Sequence, residues 1–321
     1  MPGDNKEWFC PGVICFKGFV FNFAVWQRLF INFRTATKSS SKTLSMPQIP
    51  ADIQQSLDAP FNLSNEQVSY FRENGFVKLR DVLSAGVIRY MNETISAEVA
   101  RLNTQHLPIE QRDTYGKAFL QIMNIWTRSA PVKQIVFSKR LAKIAAGLMG
   151  VNGVRMYHDQ ALFKEPGGGH TPWHADQYYW PLSTDNTVTA WIPLQATGLE
   201  LGPLEFSAKS QQLQEGRTFK ISDDSEAVIQ KKLTLHDFKK VVEPFGTGEI
   251  SFHSGWVFHR AGANKTNNMR KVMTVIYMEK DMRLKEPVNE NQQADWETWC
   301  PGAIVGEIIN TPLNPVLYEQ P

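Results

Sequence analysis

Beyond Gly150 the chain is a succession of short β-favouring runs cut by Gly and Pro. The runs are residues 154–164 (VRMYHDQALFK), 173–179, 187–194 (TVTAWIPL), 202–206, 248–253, 256–260 and 270–278 (RKVMTVIYM). A turn is required at 165–169 (EPGGG), where three consecutive glycines exclude a regular element. Many short strands with this punctuation predict an antiparallel sandwich or barrel.

Helical patterns precede that region. Ser64 with Gln67 three residues on is a capping-box pattern, followed by Val68, Phe71 and Arg72 at helical spacing and by Gly75 as a stop. Residues 76–79 alternate as a short strand. Ser84 caps a second helix whose Val87, Ile88, Met91, Ile95, Val99 and Leu102 share one face. Residues 103–115 read as a polar loop, and a third helical region spans about 130–149. The fold class expected is therefore mainly β with flanking helices. Residues 215–245 are charged and irregular, with a short helix expected at 223–232. An insertion of this size in a β domain often lies over a site.

At 321 residues the chain can bury a sizeable core. Its net charge of +2 gives no electrostatic footprint for nucleic acid. Cys10, Cys15 and Cys300 are too few and scattered for a disulfide framework, so a reducing, cytoplasmic setting is expected. Residues 1–50 differ in kind: no acid occurs between Trp8 and Pro50, apolar residues crowd Phe9 to Phe33, and scattered Lys and Arg with a Ser39–Ser41 run add positive charge and polarity. Lys17 and Arg28 interrupt the apolar run, so no stable membrane insertion is expected. Three origins stay open for this leader: a mitochondrial transit peptide, a disordered leader, or an over-called start with translation beginning at Met46. The remainder, 51–321, is expected to be one domain: a helical part at about 63–150, a β core at about 151–280 and an extension at 281–321.

Within the β region, WHADQYYW (residues 173–180) places His174 and Asp176 two apart among aromatic residues. In an extended segment both side chains point the same way. A facial metal site of two His and one carboxylate needs one more His from another strand. His259, in FHSGWVFHRAGANKTNNMRK, ends a strand run and precedes a polar loop; Arg270 opens the next run. If those runs form a hairpin, Arg270 lies beside His259. Its planar fork could bind the carboxylate of an organic acid chelating the metal. The pattern His-x-Asp, a long gap, then His-x10-Arg fits the ligand set of non-heme Fe(II) oxygenases. His253 is expected to be a supporting or core histidine, His170 a loop residue, and His158 a strand residue without a metal role.

These motifs, with LSNEQVSYFRENGFVKL, LAKIAAGLMG, LFKEPGGGHTPWHADQYYW, TAWIPL, LGPLEFSAKS and the closing WCPGAIVGEIINTPLNPVLY, resemble the phytanoyl-CoA dioxygenase family of Fe(II)- and 2-oxoglutarate-dependent oxygenases. The resemblance runs from about Leu63 to Leu317. It implies a double-stranded β-helix core, a jelly roll of the cupin-like kind. It implies Fe(II) held by His174, Asp176 and His259, with 2-oxoglutarate as cosubstrate anchored by Arg270, and dioxygen as oxidant. Gln160, Trp191 and, by a looser alignment, Lys117 fall at cosubstrate-pocket positions. The implied reaction is hydroxylation of a C–H bond of a small organic or lipid-like substrate, with release of succinate and CO2. Two departures stand out. LEFSAKS replaces a frequent Pro-Gly-Ser-His turn, and Ala261 stands where a small hydroxyl residue often helps hold the cosubstrate. Two other classes remain open from the sequence: a cupin-like metalloprotein of different chemistry, and a catalytically silent jelly-roll binding protein. The substrate and the oligomeric state are not legible.

Overall fold

The structure is a computed structural model that describes residues 49–320. Apart from Ile49 and Pro50, the leader lies outside the described residues.

The first helix, α1 (Ala51–Asp58), begins earlier than the expected start of order near Leu63; it buries Ile53 and Leu57. Next come α2 (Asn65–Asn74) and β1 (Phe76–Leu79). The Ser64–Gln67 capping box is formed in both directions, and Gly75 ends α2 in the left-handed region at φ 82°. α3 (Ala85–Leu102) buries the predicted stripe Val87, Ile88, Met91, Ile95 and Val99. The stretch read as loop, 103–115, runs into α4 (Thr114–Ala118), which is followed by an unforeseen strand, β2 (Leu120–Met123). The third helical region divides into α5 (Ala130–Val136) and α6 (Lys139–Met149). Ser138 makes the break: its Oγ accepts from Leu141 N at 3.3 Å and donates to Leu57 O at 2.6 Å. A hydroxyl that caps a new helix interrupts the old one.

The β core follows as β3 (Gly153–Lys164), β4 (Thr171–His174), β5 (Thr187–Pro193) and β6 (Leu204–Ser207), then α7 (Asp223–Leu235). β7 (Lys240–Val242), β8 (Ile250–Ser254), β9 (His259–Ala261) and β10 (Arg270–Glu279) complete it; α8 (Glu290–Trp299) and β11 (Val316–Glu319) close the chain. One sheet runs β1-β8-β5-β10-β3-β11, with β2 also on β3; the other runs β4-β9-β6-β7. Every pairing is antiparallel. The two sheets make the expected jelly roll.

The large sheet is covered on both faces, so β5 is buried at every position rather than alternately. On one face α3 and α6 pack against it, in a core containing Leu141, Ile144, Ala161 and Phe163. On the other face Trp191 and Val272 meet Leu204, Phe206 and Ala261 of the small sheet. The site occupies the space between the sheets. A register shift near Tyr157, opposite Ile276 and Tyr277, puts one extra residue in β3. Such a bulge resets the alternation. Tyr157 and His158 consequently both avoid the helix-facing core, which takes Met156 and then Ala161 and Phe163.

Among the described residues no helix is long and apolar enough to cross a membrane.

Candidate active site

His174 and Asp176 do not sit on one continuous strand as the 173–179 reading supposed. β4 ends at His174, and a single 3-10 turn begins at Asp176. Ala175 between them remains extended (φ −123°, ψ 129°), so the two-residue spacing still sends both side chains the same way. Gly255 allows this turn to dock: a Cβ there would lie 2.3 Å from Gln177 Oε1. His259 pairs directly with His174 across β4 and β9, and the ring centroids are 4.2 Å apart. The donor atoms of His174, Asp176 and His259 lie within 4.8 Å of one another.

The hydrogen bonds around this trio orient every donor. His174 Nδ1 meets Pro172 O at 2.7 Å, and His259 Nδ1 meets Val257 O at 3.1 Å. A carbonyl only accepts, so both Nδ1 atoms carry a proton, and in each ring Nε2 is the nitrogen turned toward the site. Burial, with His174 adding to it, holds the His259 imidazole well below its ordinary value, and it stays neutral. Asp176 Oδ2 accepts from Thr189 Oγ1 at 3.1 Å and faces His253 Nε2 at 3.3 Å. Oδ1 is left facing His174 Nε2 at 3.5 Å and His259 Nε2 at 3.7 Å. Two ring nitrogens and one carboxylate oxygen therefore converge on one point. Two imidazoles plus one carboxylate on one face suit Fe(II). The residues present fit the metal that the sequence motifs imply.

The expected hairpin between His259 and Arg270 does not form. β9 belongs to the small sheet and β10 to the large one, so residues 262–269 cross between sheets. Both side chains nonetheless line one cavity of ≈ 330 Å³, together with Gln160 and Trp191. Arg270 is 1 % exposed. Its Nη1 donates to Gly202 O at 2.6 Å, its Nε has no partner, and Trp191 lies under it with the ring centroid 5.6 Å from Cζ. Burial lowers the guanidinium to about 9, with no carboxylate contributing, so it is charged at neutral pH and uncompensated among the described residues. Thr171, on β4 opposite Ala261, lines the same cavity and has a buried, unpartnered Oγ1. A guanidinium with an unpartnered Nε and a hydroxyl without a partner fit the far carboxylate of a dicarboxylic acid. Thr171 presents, from the neighbouring strand, a hydroxyl at the level where Ala261 has none. The register shift between Thr171 and His174 turns both inward, which simple alternation cannot foresee.

Gln160, Thr274 and Trp191 lie side by side across β3, β10 and β5. Gln121 Nε2 donates to Gln160 Oε1 at 2.5 Å, orienting that amide. Lys117 is a correction: it does not line the cavity. Tyr115 and Phe119 do, two positions to either side, and a residue two along a helical turn faces away from them. Buried Lys164, beside Arg270 in the register, is the lysine at this end; its Nζ donates to Gly262 O at 2.8 Å. Burial, with Arg270 adding to it, lowers that amine to about 6.

The LEFSAKS turn replaces its motif with a left-handed Lys209 (φ 68°) and with Ser210, whose Oγ accepts from Phe258 N at 2.9 Å. The 215–245 insertion is anchored rather than loose. Within α7, Ile229 and Leu233 pack with Trp173 and Phe258 behind the strands that carry His174 and His259, and Trp173 N donates to Glu226 Oε2 at 2.7 Å. Ile221 reaches the cavity, but Lys220, Lys231, Lys232, Lys239 and Lys240 do not line it.

The family model described as Phytanoyl-CoA dioxygenase (PhyH) matches residues 71–272. The chain is 20% identical over 228 residues to the "Probable alpha-ketoglutarate-dependent hypophosphite dioxygenase" of Stutzerimonas stutzeri, covering 67% of this chain and 79% of that protein. It is 21% identical over 219 residues to the 2-aminoethylphosphonate dioxygenase of Uncultured bacterium HF130_AEPn_1, covering 67% and 81%. Among solved structures, the epimerase SnoN in complex with Fe3+, alpha ketoglutarate and nogalamycin RO shares the fold, with a TM-score of 0.65 and 20% identity over 79% of this chain and 98% of that one. Since the family match spans more than half its length, the chain belongs to the phytanoyl-CoA dioxygenase family.

Proposed function

We propose that the protein is an Fe(II)- and 2-oxoglutarate-dependent dioxygenase that hydroxylates a C–H bond of a small organic substrate, releasing succinate and CO2. The observation that carries this reading is the convergence of His174 Nε2, His259 Nε2 and Asp176 Oδ1 in a cavity that also holds an uncompensated, buried Arg270. His174, Asp176 and His259 would hold the iron. When bound, the iron supplies the oxidative chemistry with dioxygen and 2-oxoglutarate.

The chain's own part is geometric and electrostatic. Pro172 O and Val257 O fix the imidazole tautomers, and Thr189 with His253 leaves one oxygen of Asp176 for the metal. Arg270 and Thr171 bind the far carboxylate of the cosubstrate and so set its direction. Trp191, Leu204 and Leu162 line the cavity with apolar surface that excludes bulk water. Its volume suits a small molecule beside the cosubstrate.

The test is anaerobic. Metal-free protein receives Fe(II), then 2-oxoglutarate, and the weak visible band of a metal-chelated keto acid is followed. A band requiring both additions supports the reading. Its absence from folded, iron-loaded protein sinks it.

A further inference from the structure

The cavity has a second end, built by a part of the chain outside the matched residues 71–272. There α8 contributes Asp295, Thr298 and Trp299 to the lining. The bulge in β3 brings Tyr157 and His158 to this end. His158 is opposite Ile276, whereas Arg270 is opposite Lys164. Six residues of strand separate the two levels, about 20 Å along the sheet.

Asp295 is the only acid besides Asp176 that lines the cavity among the described residues. Tyr157, wholly buried, donates its hydroxyl to Asp295 Oδ2 at 2.9 Å. No lysine or arginine among the described residues acts on it. The neighbouring imidazole offers no compensation either, since burial pushes His158 down to about 4 and leaves it neutral. Burial pushes the Asp295 carboxyl up to about 7, with the hydrogen bonds from Tyr157 and Trp299 opposing it. A carboxyl held in such a place has either to stay protonated or to meet a cation. Trp180, Tyr179 and Trp299 line the cavity around it, and aromatic faces attract cations. The cavity is thus polarised, with an uncompensated guanidinium at one end and an uncompensated carboxyl at the other. The metal-ligand trio lines it too.

We infer that Asp295 anchors a cationic nitrogen of the substrate, so that the compound hydroxylated is a small one bearing an ammonium or amidinium group. This rests on the proposed dioxygenase reading, because that reading assigns Arg270 to the cosubstrate and leaves Asp295 to the substrate. The nitrogen sits between Asp295 and the surrounding rings, and the carbon chain extends from it toward the triad.

The test uses the full chain under anaerobic conditions, loaded with Fe(II) and 2-oxoglutarate, and in parallel the metal-free protein. Both are titrated calorimetrically at pH 7.5 with n-alkylamines of three to six carbons and with the matching n-alcohols. The amines are expected to bind and the alcohols to bind at least ten-fold more weakly. Asp295→Asn, nearly isosteric, is expected to weaken amine binding by about thirty-fold or more, as loss of one member of a buried charge pair does. Asp295→Glu is expected to keep the amine preference. An unchanged visible band in Asp295→Asn certifies that its triad and cosubstrate end are intact. Equal binding of amines and alcohols, no amine binding, or undiminished amine affinity in Asp295→Asn overturns the inference. If the wild type shows no visible band while the amine preference and its loss in Asp295→Asn persist, the dioxygenase reading fails and the cation site stands.

Discussion

Replacing Arg270 by alanine removes the one charged cation that lines the cavity among the described residues. Burial lowers the guanidinium from an ordinary 12.5 to about 9. At about 1.4 kcal/mol per pH unit, the charge lost about 5 kcal/mol of solvation on folding. The compensation among the described residues is one hydrogen bond to Gly202 O and the face of the Trp191 ring. A carboxylate arriving in the fork recovers part of that loss. Buried charge pairs of this kind are worth about 2–5 kcal/mol when one member is deleted. Taking about 3 kcal/mol, Arg270→Ala raises the Kd for 2-oxoglutarate by about 150-fold. The assay is an anaerobic titration of the Fe(II)-loaded protein with 2-oxoglutarate, read at the visible band, with iron content measured on each sample. Arg270→Lys keeps a charge but not the planar fork, so it falls between the two. A Kd for Arg270→Ala within about three-fold of wild type, at equal iron content, would refute the reasoning, because the penalty on a buried guanidinium would then have no connection with the cosubstrate.

Thr171→Val removes the unpartnered hydroxyl opposite Ala261 and is expected to weaken 2-oxoglutarate by about ten-fold or more, the usual value of a hydrogen bond to a charged group, without loss of iron. Adding Ala261→Ser to that variant returns a hydroxyl from the facing strand; no recovery of affinity would show that Thr171 acts elsewhere. Asp176→Ala leaves only two imidazoles and is expected to abolish succinate formation and to reduce bound iron, read by metal analysis; near-normal turnover with bound iron would remove Asp176 from the ligand set. For the metal-free protein, His158 sets part of the acid limb of stability. Its pKa is about 4 folded and 6.5 unfolded, so between those values the unfolded chain binds more protons and stability falls as pH falls. The loss is about 3 kcal/mol at pH 4, so denaturant midpoints of His158→Phe decline less than wild type between pH 6.5 and 4; parallel declines contradict the assignment.

Much of this site was readable because residue spacing and physical direction agreed. His174 and Asp176 share a direction because Ala175 is extended, although the strand itself stops at His174. The stripe on α3 and the cap at Ser64 are local patterns, and the fold keeps them. Other features depend on contacts between distant segments. The split of residues 130–149 turns on Ser138 reaching Leu57, 81 positions away. Arg270 was placed in the right cavity on the wrong geometry. A hairpin was expected, but the two strands lie in opposite sheets that face each other, and facing sheets also bring side chains together.

The residues that escaped the sequence reading share one property: each is displaced from the periodic pattern of its element. Thr171 faces inward because of a register shift in β4. Tyr157 reaches Asp295 because β3 carries a bulge. Asp295 lies on α8, whose residues are at most partly buried and whose apolar contacts are made by Trp296 and Trp299, so no packing pattern marks Asp295 itself. Periodicity marks side chains that pack against a flat neighbouring layer. A cavity needs the opposite, side chains held off that layer with polar groups left unpaired. The metal trio escapes this limit because its ligand types and spacing are chemically distinctive whatever the strand geometry. Substrate contacts carry no such signature, which is why the acidic end of the cavity appears only in three dimensions, where Asp295 stands without a counter-ion among the described residues.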